Sequence, residues 1–182
     1  GRDTGGPVLS AWDEVRDFFH YTDNHIDAID RAAERFAGER PLAAAHAALA
    51  ERGVTVTVAE EAAEEAAEDG ALRRFDRDRG LLVLSARSPR ATRNFQMLHQ
   101  VALLTQDALL EATLDLARFK TGEARAIAKI GLANYFAGAA LMPYGAFLKA
   151  ARSLRHDLER LAQRFDASIE QVAHRLVTLQ RQ

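Results

Sequence analysis

The sequence predicts an α+β fold that is mainly α-helical, with a small antiparallel-containing sheet packed on a helical bundle. Apolar residues recur at helical spacing over most of the chain, and three short β-prone runs lie between residues 54 and 84. Of the 182 residues, 48% are hydrophobic. That fraction, in a chain of this length, is enough for one domain with a buried core.

Composition excludes several classes of function. The 24 Lys and Arg residues nearly balance the 26 Asp and Glu residues, which argues against non-specific nucleic-acid binding through this segment. There is no cysteine, so disulfides, thiolate metal sites and thiol catalysis are excluded within these residues. We expect a cytoplasmic location, since cysteine-free chains suit a reducing compartment and neither a membrane span nor a signal peptide is predicted.

The N-terminal part divides into two expected segments. Residues 1–9 are glycine-rich and predict a disordered lead-in, and residues 10–40 predict a helical segment suited to dimerisation. The polar run at residues 21–25 is expected to break or bend the helix, and Gly38 to end it.

The β-prone runs predict a small sheet. Residues 54–58 alternate Val and Thr with period two, as in a short strand. Residues 72–75 and 81–84 flank a turn that ends at Gly80, which indicates a hairpin. The acidic Ala/Glu tract at residues 60–69 is expected to be an exposed helix or a mobile loop.

The helix that follows this sheet organises the remaining prediction. Ser88 is a suitable N-cap and Pro89 suits the first helical position. The apolar stripe of the helix carries His99. In a zinc peptidase helix of the form His-Glu-x-x-His, two imidazoles bind the metal and the Glu is the base. Here the five positions from His99 to Leu103 are HQVAL, so only one ligand is retained.

Further helices are predicted nearly to the end of the chain. Their expected ranges are residues 41–52, 107–119, 123–141, 144–154, 157–165 and 168–179. Ser168 and Gln171 predict a capping box at the start of the last one. Residues 123–141 are rich in Ala and Gly, which lets helices approach closely or leaves room for a ligand. The last two helices resemble a helix-turn-helix, but the basic residues Arg160, Arg164 and Arg175 are few and mixed with acids, which disfavours DNA reading.

Two segments, residues 90–100 (RATRNFQMLHQ) and 132–143 (LANYFAGAALMP), resemble the ImmA/IrrE metallo-endopeptidase family. The resemblance implies a zincin-like core. Active members carry a zinc-binding Glu directly before Ala-Asn, and here that position is Leu132. With Leu103 and Leu132 in place of ligands, the resemblance implies a lost metal site and a protein that is not an enzyme.

A narrower resemblance runs through residues 134–148, 155–161 and 171–181, which are similar to the short-chain fatty acyl-CoA regulator family of bacterial transcription factors. It implies that residues 41–182 are an effector-binding domain that controls short-chain fatty acid metabolism genes. Coenzyme A or a short-chain acyl-CoA is the implied ligand, and no cofactor is required. DNA would be bound only through a separate N-terminal helix-turn-helix, and a homodimer or higher homo-oligomer is expected.

An acyl-CoA needs cations for its phosphates, and three arginines cluster where the His99 helix begins: Arg87, Arg90 and Arg93. The positive end of the helix dipole adds to their attraction for anions. The alternative interpretation is a solvated basic helix end.

The acyl and pantetheine groups need an apolar slot with a few polar groups. Tyr135 and Tyr144 bracket the small-residue helix and are expected to donate to a thioester carbonyl or to pack on the nucleotide. His99 is expected to face the space vacated by the metal. For all three residues, a core position with a satisfied polar tip is the alternative.

Two other classes of function stay open. One is a peptidase with an atypical metal set that combines His99 with Glu123 or with another histidine. The other is a dimerisation module that uses Trp12, Phe18 and Phe19.

Overall fold

A computed structural model describes residues 7–60 and 73–179 of the chain. The described helices and strands follow one another in the order α1 (Pro7–Tyr21), α2 (Asp27–Ala37), α3 (Pro41–Glu51), β1 (Thr55–Ala59), β2 (Arg73–Asp76), β3 (Leu81–Ser85), α4 (Arg90–Thr105), α5 (Asp107–Ala117), α6 (Gly122–Leu141), α7 (Tyr144–Ser153), α8 (Leu158–Phe165) and α9 (Ile169–Leu176). The prediction of a mainly helical α+β fold with a small sheet is confirmed.

Helix α6 is the centre of the bundle, and helices α1, α2, α4 and α5 all pack against it. Six of its nine buried residues are alanines. Because alanine side chains are small, the neighbouring helices approach closely on several sides. Thr121 caps the helix by accepting a hydrogen bond from the backbone N–H of Ala124, so the chain breaks where the sequence predicts a break.

The sheet has the strand order β1-β3-β2, with β1 parallel and β2 antiparallel to β3. The predicted hairpin is therefore confirmed, and strand β3 lies at the centre with Leu82, Val83 and Leu84 buried. Gly80 ends the hairpin turn with φ +59°, and a Cβ there would lie 2.4 Å from the carbonyl oxygen of Gly53. Only glycine fits at this position.

The N-terminal segment forms two helices joined at the polar run, as predicted. Helix α1 ends at Tyr21 and α2 begins at Asp27, while Gly38 caps α2 with φ +54°. However, α1 begins at Pro7, inside the segment that we expected to be disordered. The rest of that lead-in, residues 1–6, and the acidic tract beyond Glu60 lie outside the described residues.

One capping prediction is wrong and another is confirmed. Pro89, with ψ 155°, is the residue that precedes α4, and its carbonyl accepts from the N–H of Arg93. Within the described part of the chain, the buried hydroxyl of Ser88 has no hydrogen-bond partner. The extended Pro89 places Ser88 one residue too early to cap the helix. Ser168 and Gln171 form the capping box predicted for α9.

Candidate functional site

A cleft of about 420 Å³ lies between α6 and α9. Its floor is one face of α6, because four of its residues have the spacing i, i+3, i+4, i+7: Gly131, Asn134, Tyr135 and Gly138. Among the described helices, none is both long and apolar enough to cross a bilayer.

Two aromatic rings lie over the two glycines of the floor. A Cβ on Gly131 would be 3.1 Å from the ring of Phe19, and a Cβ on Gly138 would be 3.8 Å from the ring of Phe95. Both phenylalanines line the cleft. The glycines therefore make room both for the rings and for the cleft. The close packing and the space for a ligand, which the sequence offered as alternatives, occur on the same helix.

Helix α9 and the turn after it supply the opposite wall of the cleft. Glu170 and His174 are exposed at the rim, Gln171 is half-buried, and Arg175 is buried at the base. The amide of Gln171 donates to the carbonyl oxygen of Ala91 at 3.4 Å, which places the cleft next to the first turn of α4.

A buried ion pair lies at the base of the cleft. Arg175 donates from Nη1 to Oδ2 of Asp30 at 2.8 Å and from Nη2 to Oδ1 at 2.9 Å, in a bidentate arrangement. Its Nε donates to the carbonyl oxygen of Met142 at 2.9 Å, and Nη1 also donates to the hydroxyl of Thr178. Asp30 and Arg175 are 0% and 3% exposed, so the pair is shielded from water.

Tyr135 joins the cleft to this ion pair. Its hydroxyl donates to Oδ2 of Asp30 at 2.6 Å and accepts from the backbone N–H of Ile26 at 3.1 Å. Burial, together with the charge and hydrogen bond of Asp30, raises the pKa of Tyr135, so the phenol stays protonated. Burial alone would raise the pKa of Asp30, but the hydrogen bond and charge of Arg175 outweigh it and lower that pKa below its usual range.

His25 and Tyr144 complete the polar cluster. Nδ1 of His25 lies 2.9 Å from the carbonyl oxygen of Thr178, a contact that fits the tautomer with its proton on Nδ1. The His25 ring meets the Tyr144 ring edge-on, with 5.7 Å between centroids. The guanidinium of Arg175 also lies 5.7 Å from the Tyr144 ring, within reach of a cation–π contact.

The structure places the predicted tyrosines and histidine around the cleft with different degrees of access. Tyr135 lines it, whereas Tyr144 is buried behind Arg175 and does not. His99 is buried, and its Nδ1 lies 2.7 Å from Oδ1 of Asn134, an exposed residue of the floor. The hydroxyl of Tyr135 donates to Asp30, which is the arrangement expected for a core tyrosine with a satisfied polar tip.

The predicted arginines lie at the start of α4, as expected, but none of them lines the cleft. Arg87 and Arg90 are exposed, and Arg90 lies 3.7 Å from the carboxylate of Asp166. Arg93 folds back and donates to the carbonyl oxygen of Ser88. Asp166 borders a second cavity of about 480 Å³, which is lined also by Arg40 and Arg164. These three arginines and Tyr135 therefore do not line the same cavity.

The atypical metal set proposed from the sequence is not assembled. Glu123 lies in the first turn of α6, eleven residues before Asn134, which is roughly 16 Å along a helix axis from the partner of His99. Among residues 7–60 and 73–179, no three His, Asp or Glu side chains are grouped so that they could hold a metal ion. Leu132, at the position where the resemblance implies a zinc-binding Glu in active members, is fully buried.

Sequence reasoning missed the ion pair, although a signal was present. Asp30 interrupts the apolar stripe formed by Ile26, Ala33 and Ala37 on α2. Arg175 lies at i+3 from Val172 and four residues before Leu179, and so at core spacing on α9. Two opposite charges at core positions of different helices suggest a buried pair. The sequence does not say that the two helices meet.

Comparison with known proteins places this arrangement in a family. A sequence model described as the IrrE N-terminal-like domain, of a peptidase family, matches residues 50–177. The chain is 58% identical, over its full length, to the "Propionyl-CoA carboxylase regulator" of Cereibacter sphaeroides. It is 38% identical, over 93% of its length, to the "HTH-type transcriptional regulator PrpR" of Mycobacterium tuberculosis.

A solved structure titled "Mycobacterium tuberculosis transcriptional regulator" has a similar fold, with a TM-score of 0.83 and 36% sequence identity. The match covers 94% of this chain and 52% of that one. The chain spans only 38% and 35% of the length of the two curated relatives. The similarity thus concerns one part of longer regulators.

Proposed function

This chain belongs to the family of IrrE N-terminal-like domains, and we propose that it is the ligand-sensing domain of a cytoplasmic bacterial transcription factor that binds a short-chain acyl-CoA. The observation that carries the proposal is the cleft between α6 and α9, which is lined by Tyr135 and by Asn134, the hydrogen-bond partner of His99. The resemblance implies that His99 is the one retained ligand position of the zinc motif. The names of the relatives, which call each of them a regulator, support a role in regulation.

The cleft suits the acyl and pantetheine part of the ligand. Its volume of about 420 Å³ falls in the usual range for small-molecule sites, and its lining is largely apolar. Phe19 and Phe95 offer aromatic surface, while the exposed amides of Asn24 and Asn134 suit the two amides of pantetheine. Since Phe19 and Asn24 precede residue 41, the proposed effector domain includes the N-terminal helices.

The cationic side chains that could bind the phosphates lie outside the cleft. Among the described lining residues, Arg175 is the only Lys or Arg, and its charge is neutralised by Asp30. Arg87 and Arg90 are exposed at the start of α4, and the Gln171–Ala91 hydrogen bond connects that helix end to the cleft. We therefore propose that these two arginines bind the phosphates, supported by the N-terminal end of α4.

The direct test is calorimetric titration of the chain with coenzyme A and with acetyl-, propionyl- and methylmalonyl-CoA. The variant Gly138→Ala adds a methyl group to the cleft floor without a clash. We expect it to weaken propionyl-CoA binding about tenfold, while the melting temperature stays the same or rises, since Ala is the better helix former.

Gly145→Ala is the matched control. Gly145 is exposed on α7 with open space around it, and it does not line the cleft. The Gly145→Ala variant should bind propionyl-CoA with the same affinity as the parent chain. Absence of binding by every acyl-CoA to a folded sample would remove the proposed function, and equal loss in both glycine variants would move the site away from the cleft.

Two other functions are discriminated by separate measurements. Stoichiometric zinc in the purified protein, with peptide hydrolysis that a chelator abolishes, would favour a peptidase. Trp12 is 55% exposed on α1, and a dimerisation role predicts that Trp12→Ala yields a monomer in sedimentation experiments. Phe19, which was expected to share that surface, lines the cleft instead.

A further inference from the structure

We propose that α9 is a movable wall of the cleft, and that the Asp30–Arg175 ion pair is the latch through which ligand binding controls its docking. The inference rests on the proposed function, because it assigns a mode of regulation to the same site. It follows from how α9 is attached to the rest of the molecule.

Helix α9 has one fully buried apolar side chain. Its buried residues are Val172 and Arg175, while Leu176 and Leu179 are half-buried and pack on the core. Polar contacts also join α9 and its following turn to the body: Arg175 with Asp30 and Met142, His25 with Thr178, and Gln171 with Ala91. Directional hydrogen bonds therefore form a large part of the attachment of α9.

For a wall that must open, an ion pair is a more suitable attachment than apolar contacts. When an apolar interface opens, its surface enters water at a cost proportional to the exposed area. When a buried ion pair opens, both charges regain their hydration, which offsets most of the lost attraction. The closed state is nevertheless specific, because the bidentate geometry with Asp30 and the additional bond to Met142 define the position of Arg175 on the body.

Ligand binding is coupled to this latch by the composition of the cleft. Six of the fourteen lining residues belong to α9 or to the turn after it, and the remainder lie on the body of the domain. An open α9 would therefore offer only part of the binding surface. A ligand shifts an equilibrium in proportion to its difference in affinity between the two states. A bound acyl-CoA thus favours the closed position of α9. Tyr135, on the floor of the cleft, donates a hydrogen bond directly to Asp30.

Hydrogen exchange on the whole chain, with propionyl-CoA as the probe, tests the proposal. Without ligand, the amides of residues 169–179 should exchange faster than those of α6, and saturating propionyl-CoA should slow them at least tenfold. Calorimetry on the same sample reports whether the probe binds. If it binds and exchange in α9 does not change, the latch is refuted while the proposed function stands. If no acyl-CoA binds, both are refuted.

Two variants test the latch without ligand. Asp30→Asn removes the charge but keeps the shape, and His25→Phe removes the ring nitrogen that contacts the carbonyl oxygen of Thr178 across the two parts. Each should speed exchange in residues 169–179, by about fivefold for His25→Phe, and leave α6 unchanged. Thr113→Val is the control, since the Thr113 hydroxyl donates to the Leu109 carbonyl on α5, outside the cleft. Uniform acceleration over all helices in both latch variants would contradict a local latch.

Discussion

The two helices that face each other across the cleft are fixed in different ways. Helix α6 buries nine residues, none of them charged, and helices α1 to α5 pack around it. Helix α9 fully buries two residues, and one of them is Arg175, while Leu176 is half-buried against the core. Apolar packing is non-directional and adds up over a surface, whereas an ion pair acts at one point and in one geometry. The cleft therefore has a floor fixed by packing and a wall that depends more on one polar cluster.

The strongest test of this comparison is Arg175→Met, which leaves Asp30 buried without its cation. Removal of one partner of a buried ion pair costs about 3–5 kcal/mol, and denaturant unfolding should show a loss of that size. Arg125→Met is the control: Arg125 pairs with Glu111 and Asp115 on the surface, and breaking such a pair costs about 0–1 kcal/mol. Equal losses in the two variants would mean that the buried pair contributes no more to the free energy of unfolding than a surface pair.

The corresponding change on α6 is Leu132→Ala. Leu132 is fully buried, and truncation of a core leucine costs about 2–5 kcal/mol in global stability. Because the floor is held by packing, we expect the free energy of unfolding to fall while the ratio of exchange rates between α9 and α6 under native conditions changes little. A selective opening of α9 in this variant would contradict the distinction between the two helices.

Acid should weaken α9 before it weakens α6. Asp30 is faced by Arg175, Tyr135 and His25, and its pKa in the folded protein lies below the ordinary value. A group with a depressed folded pKa contributes stability above its unfolded pKa, near 4, and this contribution is lost as the pH falls through the folded value. Exchange of residues 169–179, followed by mass spectrometry from pH 6 down to pH 3 and corrected for intrinsic rates, should show opening below about pH 4. Asp30→Asn should abolish that pH dependence.

The smallest effect on stability is expected at Arg90, which belongs to neither helix. Its contact with Asp166 spans 3.7 Å between side chains that are 71% and 53% exposed, so Arg90→Gln should change the free energy of unfolding by less than about 0.5 kcal/mol. If Arg90 binds phosphate, the same variant should weaken propionyl-CoA binding severalfold, with a smaller dependence on salt. Unchanged affinity in calorimetry at low salt would remove Arg90 from the proposed site.

Local sequence signals predicted the elements well. The hairpin around Gly80, the break at residues 21–25 and the Ser168–Gln171 capping box all depend on neighbours in the chain, and all three are confirmed. The N-cap at Ser88 failed by one residue, because Pro89 is extended rather than helical. The resemblance in residues 90–100 and 132–143 identified the IrrE-like family, which the match over residues 50–177 confirms.

The sequence by itself determined the helices, the small sheet and the family, since each is encoded in contiguous residues. Only the tertiary structure decided that Asp30 meets Arg175, 145 residues later in the chain, and that Phe19 reaches the cleft floor while the three arginines stay outside the cleft. Such contacts depend on how whole helices pack, and periodicity along the chain reports which face of a helix is buried but not which partner covers it.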